Sequence, residues 1–181
     1  RYPPVGKTVL LTAAGSDCAV LLGQWARQAG AEAVYGIHRS PVHAQRLAEM
    51  GIVPIAQHDT AAVNAAAAQA EVVYDATGGS LAETILSVMP ESGTFVCYGL
   101  LSGQTFRQQR PLPRVAWFHI RNYLDALSAE AWQEEFRRIW PKLRASQCSD
   151  VTLYPLSEWQ RAVGNYREAG RTGKPMLSMD N

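Results

Sequence analysis

The chain has 181 residues and a net charge of +1, from 17 basic and 16 acidic side chains, and 47% of it is hydrophobic. That is length enough for one globular domain with its own core, and a charge balance that calls for neither nucleic acid nor an acidic interaction tail. No apolar run approaches the roughly 18 residues that cross a bilayer, so no membrane partner is expected. Three widely spaced cysteines, Cys18, Cys97 and Cys148, point to a reducing, cytoplasmic setting.

Arg1 opens the chain and a core strand follows almost at once, as expected of a piece of a longer protein. Residues 8–12 are apolar and partly β-branched, which predicts a strand covered on both faces. Ala13-Ala14-Gly15-Ser16 follows, small enough for backbone amides to approach a ligand. Cys18, Leu21, Leu22, Trp25, Ala26 and Ala29 then recur at helical spacing, with Gln24, Arg27 and Gln28 on the opposite face and Gly30 at the C-cap. A helix N-terminus after a tight turn is an anion site, and this is the diphosphate grip of a dinucleotide fold. Of the three glycines in G-x-G-x-x-G only Gly15 is present, with Ala19 in the last slot, so a plain βα unit stands as the alternative.

Residues 33–37 read as the second strand. Ser40 then caps a helix with Pro41 in its first turn, Ala44, Leu47 and Ala48 facing inward, and Gly51 closing it. Pro54 marks the third strand, 52–55, as a sheet edge. A helix over 60–69 leads to a fourth strand, 72–75, and the turn Ala76-Thr77-Gly78-Gly79. Ser80 and Glu83 form a capping box for a helix through Met89, and 94–98 is the fifth strand. The sixth is expected at 115–120. Ser128 caps a helix with an apolar stripe of Trp132, Phe136, Ile139 or Trp140, and Leu143, supported by a Glu134–Arg138 pair and kinked or ended by Pro141. Strands at 151–154 and 174–179 flank a last helix opened by Ser157 and Gln160.

Alternating strands and helices with short links predict an α/β doubly wound parallel sheet of six strands in the order 3-2-1-4-5-6, with extra C-terminal helices and strands. On such sheets ligands sit beyond the carboxyl ends of the strands. The second strand ends in His38-Arg39-Ser40, with no carboxylate between Tyr35 and Gln45. An NAD site needs an acidic residue there to bind the ribose 2′-hydroxyl. Arg39, helped by His38, Ser40 or Arg46, suits a 2′-phosphate instead, the alternative being a plain exposed arginine in a loop. Asp17 is the awkward residue, because a carboxylate at a helix N-terminus caps the helix but repels a diphosphate. It is either an N-cap only, or turned aside. Asp75 to Gly79 and Tyr98-Gly99-Leu100 end the fourth and fifth strands, where they flank a nicotinamide or serve only as turns. No Ser/His/Asp set and no metal-ligand spacing appears. His119, Trp117 and Phe118 are read first as core residues.

The runs TVLLTAAGSDCAVLLGQWARQAGA, VVYDATGG, GTFVCYGLLSG and YPLSEWQRAV…GRTGKPMLS span almost the whole chain. In this order they resemble the nucleotide-binding domain of the medium-chain dehydrogenase/reductase superfamily, and most of all its zinc-independent quinone oxidoreductases and trans-2-enoyl reductases. The resemblance implies an enzyme in which NADPH passes hydride to an activated C=C or a quinone. It implies diphosphate contacts at Ser16, Asp17, Cys18 and Ala19 after Gly15, and Arg39 on the 2′-phosphate. Thr77, Gly78, Tyr98, Gly99 and Leu100 are then expected near the nicotinamide. It also implies a homodimer paired through the last sheet strand, and an N-terminal substrate domain outside this sequence, whose proton donor has no counterpart here. Asp17 and Cys18 depart from the Gly-Val usual at these positions. Two rivals are a degenerate module kept for dimerisation and an S-adenosylmethionine-dependent methyltransferase. The latter generally needs an acidic residue where His38-Arg39 stands.

Overall fold

The structure is a computed structural model and describes residues 2–124, 127–168 and 170–179. Six short runs, β1 (Thr8–Leu11), β2 (Ala33–His38), β3 (Val53–Ala56), β4 (Val72–Asp75), β5 (Thr94–Cys97) and β6 (Arg114–Trp117), pair in parallel as one sheet in the order 3-2-1-4-5-6. Successive residues of a strand face opposite sides. Val9 and Leu11 therefore join one core with Val20, Ala26, Val34, Leu47 and Ile52, while Leu10 joins another with Val63, Ala66, Val73, Ile85 and Phe95. The first core lies under α1 (Asp17–Gln28) and α2 (Ala44–Glu49), the second under α3 (Thr60–Ala67) and α4 (Gly79–Val88). Burial on both faces is why the inner strands β1, β4 and β5 read as largely apolar runs. Pro54 sits in β3, the sheet edge, where its missing N–H costs no ladder bond. The order reverses between β1 and β4, and that switch point is where a doubly wound sheet opens a crevice.

Beyond the sheet, α5 (Ile120–Leu124) and α6 (Ala129–Arg144) precede a two-stranded parallel ladder of β7 (Val151–Pro155) and β8 (Lys174–Ser178), bridged by α7 (Trp159–Arg167). This unit is fastened to α1 by side chains. Gln24 Nε2 donates to the Gln147 carbonyl at 2.9 Å, the Gln147 amide donates to Gln24 Oε1 at 2.9 Å, and Trp25 Nε1 donates to Ser146 Oγ at 2.9 Å. Gln24 is therefore buried although the helical pattern assigned it to the outer face, and Cys18 and Ala29 of the expected inner face are exposed. A second layer covers that side of α1, which the helix's own periodicity does not reveal.

Other expectations fail for equally local reasons. Ser40 makes no side-chain cap, because Pro41–His43 forms a 3₁₀ turn and α2 starts only at Ala44, with Ala48 exposed. The Ser80–Glu83 capping box does not form. α4 begins at Gly79, whose amide donates to the Gln104 carbonyl at 3.0 Å, and Glu83 accepts from the Arg107 amide at 2.9 Å instead. The sixth strand stops at Trp117, and Ile120 opens a helix. Ser128 does cap α6, accepting from the Ala131 amide at 3.2 Å. That helix runs through Pro141 to Arg144, continuing until the Ala145 amide reaches the Pro141 carbonyl at 3.1 Å. Its stripe of Trp132, Phe136, Ile139 and Trp140 remains exposed in the described chain.

Candidate functional site

The first turn is built from β1 outward. Ala14 donates its amide to the Ile37 carbonyl at 2.8 Å, which holds the ends of β1 and β2 together. Ala13 takes a left-handed φ of 48°, and the Ser16 amide donates back to the Ala13 carbonyl at 2.9 Å. Ser16, not Asp17, is the N-cap: its Oγ accepts from the Ala19 amide at 3.3 Å. The amides of Asp17 and Cys18 have no acceptor among the described residues, and the positive end of α1 points with them at the turn. The Asp17 carboxylate turns aside. It accepts from the Ser149 hydroxyl in a short hydrogen bond and from the Ser149 amide at 3.3 Å, and Lys174 Nζ lies 3.5 Å from it. Burial works to raise its pKa, but the Ser149 bonds and the Lys174 charge prevail and hold the carboxyl below its usual value.

The second turn leans on the first. His38 is buried, whereas Arg39 is exposed and has neither hydrogen bond nor ion pair among the described residues. The His43 ring covers Gly15 so closely that a Cβ there would stand 2.5 Å from His43 Cδ2. Burial, then the nearby His38 and Arg46, lower the His43 pKa. Ser40 lies against Gly170, where a Cβ on the glycine would meet its Oγ at 2.8 Å.

The fourth and fifth turns form one packed unit. Asp75 is fully buried; its Oδ1 accepts from Thr12 Oγ1 at 2.7 Å and the Thr77 amide at 3.0 Å, and its Oδ2 from the Gly78 amide at 2.9 Å. Thr12 Oγ1 in turn accepts from the Ala76 amide at 2.9 Å. Gly78, at φ +69°, has Leu100 Cδ2 where a Cβ would be, at 2.6 Å, and a Cβ on Gly99 would meet the Ala76 carbonyl at 3.0 Å. The Tyr98 hydroxyl is buried with no hydrogen-bond partner of good geometry, beside the Cys18 thiol. Burial, then Cys18 and Asp75, push its pKa above the usual phenol range. The Cys97 thiol is pushed up to about 11 by burial and then by the Asp75 charge.

The sequence-predicted residues thus fall into one rim. Gly15 to Ala19 touch the second turn through His43 and the fifth through Cys18 and Tyr98, while Thr77, Gly78, Gly99 and Leu100 pack together. Arg39 stands at the end of β2 with no hydrogen bond or ion pair among the described residues. Sequence reading missed Ser149 and Lys174 as partners of Asp17 and the clamp made by Thr12 and Asp75. Only the clamp had a signal, a carboxylate ending an apolar strand before small residues. Among the described residues no three His, Cys, Asp or Glu side chains converge on a point that could hold a metal ion.

The sequence pattern that defines zinc-binding dehydrogenases matches residues 19–143. The chain belongs to the zinc-binding dehydrogenase family. Among the described residues of this zinc-binding dehydrogenase chain no ligand cluster fits a zinc ion. No curated protein shows a significant sequence match. Among solved structures, one assigned as an NADPH:quinone reductase from Bacillus thuringiensis superposes with a TM-score of 0.83 at 23% identity, over 96% of this chain and 56% of its own. A 2-haloacrylate reductase does so with 0.79 at 20% identity, over 100% and 60%. The CurK enoyl reductase gives 0.74 at 22% identity, over 96% and 55%. The chain therefore spans a little over half the length of these structures.

Proposed function

We propose that this chain is the NADPH-binding part of a zinc-independent reductase, and that a further domain presents an activated C=C or a quinone to the cofactor. One observation carries the reading. At the switch point of a 3-2-1-4-5-6 sheet, the N-terminus of α1 offers free amides and the one carboxylate nearby is drawn away from them. A diphosphate fits there: the Asp17 and Cys18 amides would hold it, with the Ser16 cap fixing the turn. Arg39, exposed and unpaired, would take the 2′-phosphate, with His38 and Ser40 beside it. Thr77, Gly78, Tyr98, Gly99 and Leu100 would border the nicotinamide end. NADPH, when bound, supplies the hydride. A ligand lying over Gly15 has to displace the His43 ring.

The same reading makes the protein a cytoplasmic homodimer joined along the free edge of β6, the outermost strand. The structural neighbours assigned as quinone and enoyl reductases support the substrate class. Calorimetric titration of the 181-residue chain tests the cofactor. NADPH is expected to bind at least tenfold more tightly than NADH, and Arg39→Ala to abolish that preference, since a charge-assisted hydrogen bond contributes about 1.5–3 kcal/mol. Equal affinity for both cofactors, or an unaltered preference in the variant, refutes it. The second reading, a module kept for dimerisation, has the His43 ring over Gly15 in its favour and predicts that neither cofactor binds.

A further inference from the structure

Asp17 is the residue of the first turn least suited to phosphates, and three distant parts of the chain converge on it. Lys174, at the start of β8, stands 3.5 Å from its Oδ2. Ser149, between α6 and β7, donates both amide and hydroxyl to its Oδ1. Arg46 of α2 donates Nη1 to the same Ser149 Oγ at 2.9 Å. The helix end supplies only about half a positive charge, so the carboxylate alone would leave this corner negative. Two full cations reverse that sign.

Two buried polar nitrogens at the same corner lack hydrogen-bond partners. Arg46 Nη2 is buried with no partner, and so is Nδ1 of His38, a side chain only 5% exposed. Arg46 reaches this turn through Ser149 and Asp17, and His38 follows Ile37, whose carbonyl accepts from the Ala14 amide of the same turn. Buried polar groups without partners are costly and infrequent, and a ligand rich in acceptor oxygens would satisfy the Arg46 guanidinium, which can only donate.

We propose that Asp17 is a positioning residue: through Ser149 and by direct attraction it holds Arg46 and Lys174 beside the first turn of α1, and these two cations grip the phosphates of the dinucleotide. This rests on the NADPH reading. An exposed ion pair adds little to stability, but it confines a flexible ammonium before the ligand arrives, which lowers the cost of ordering it on binding. Lys174 then shares or exchanges its carboxylate partner for a phosphate oxygen. Arg46, tethered through Ser149, keeps its second nitrogen for the ligand.

The sign of one substitution separates this from simple repulsion. If the carboxylate only repels, Asp17→Asn tightens binding; if it positions the cations, the same change weakens it. The wild-type chain, D17N, K174A and K174R are titrated with NADPH and with inorganic diphosphate, and each variant's fold is checked by its thermal midpoint. About a fivefold loss in D17N, about a tenfold loss in K174A and recovery of most of it in K174R are expected, in parallel for both ligands. Tighter binding in D17N, or NADPH binding in K174A equal to wild type, overturns the proposal and leaves the NADPH reading standing. Diphosphate binding that depends on Lys174, with no NADPH binding, overturns the NADPH reading and leaves the anion site. Binding of neither ligand by the wild type removes both.

Discussion

Replacing Asp75 with Asn keeps the side chain's shape and removes its charge and one acceptor oxygen. The carboxylate is fully buried and accepts from Thr12 Oγ1, the Thr77 amide and the Gly78 amide, at 2.7, 3.0 and 2.9 Å. An Asn that keeps Oδ1 in place turns an NH₂ toward the Gly78 amide, which then faces a donor instead of an acceptor. Flipped, it turns the NH₂ on the Thr77 amide. Either way at least one buried amide loses its partner, at about 1–3 kcal/mol, and the surviving bonds weaken from charge-assisted to neutral ones. A total loss of ~2–4 kcal/mol is expected, a large part of the ~5–15 kcal/mol that a domain has. Urea denaturation measures it as a lower midpoint at unchanged m-value. Amide exchange should quicken at Gly78, and also at Leu101, which donates to the Ala76 carbonyl at 2.8 Å and rides on the same turn. A loss below about 1 kcal/mol, with slow exchange retained at both amides, would refute the view that this carboxylate ties β1 to the fourth turn.

Gly78→Ala should destabilise by ~2–4 kcal/mol in the same assay, because the residue sits at φ +69° with Leu100 Cδ2 2.6 Å and the Gln104 carbonyl 2.8 Å from the added Cβ. Gln24→Ala removes both bonds to Gln147 and should cost about 1–3 kcal/mol. Faster exchange of the Gln147 amide should accompany it, while the sheet amides stay protected. His43 predicts a pH effect. Its folded pKa lies below the usual 6.5, so the unfolded chain binds the proton more readily. Its contribution is complete above pH 6.5 and declines as the pH falls through that value toward the lower folded one. Thermal midpoints measured downward from pH 7.5 should show this decline, and His43→Gln should flatten it.

The order of the sheet and its inner strands were legible because a parallel strand buried on both faces leaves a local mark, a short apolar run, whereas β6, with Arg114 and Trp117 exposed, stops at Trp117 short of the expected end. β4 falls at residues 72–75 as its pattern indicates, and β3 lies at the edge where Pro54 puts it. Helix ends were less legible. Ser80 and Glu83 carry a capping box, but a backbone carbonyl from the loop after β5 occupies the helix start first. The inward face of α1 was read wrongly at Gln24, because a helix covered from two sides has no single apolar stripe to display.

At the site, the chain itself declares the small-residue turn, the absence of an acidic residue after β2, and the presence of a carboxylate at position 17. Where that carboxylate points is decided by Ser149, 132 residues away, and by Lys174 on the last strand. Periodic burial is written into neighbouring residues because each strand and helix repeats it every two to four positions. A side-chain contact between distant segments has no period. It exists only once packing has brought the two surfaces together, so tertiary structure alone could turn Asp17 from an obstacle into a tether.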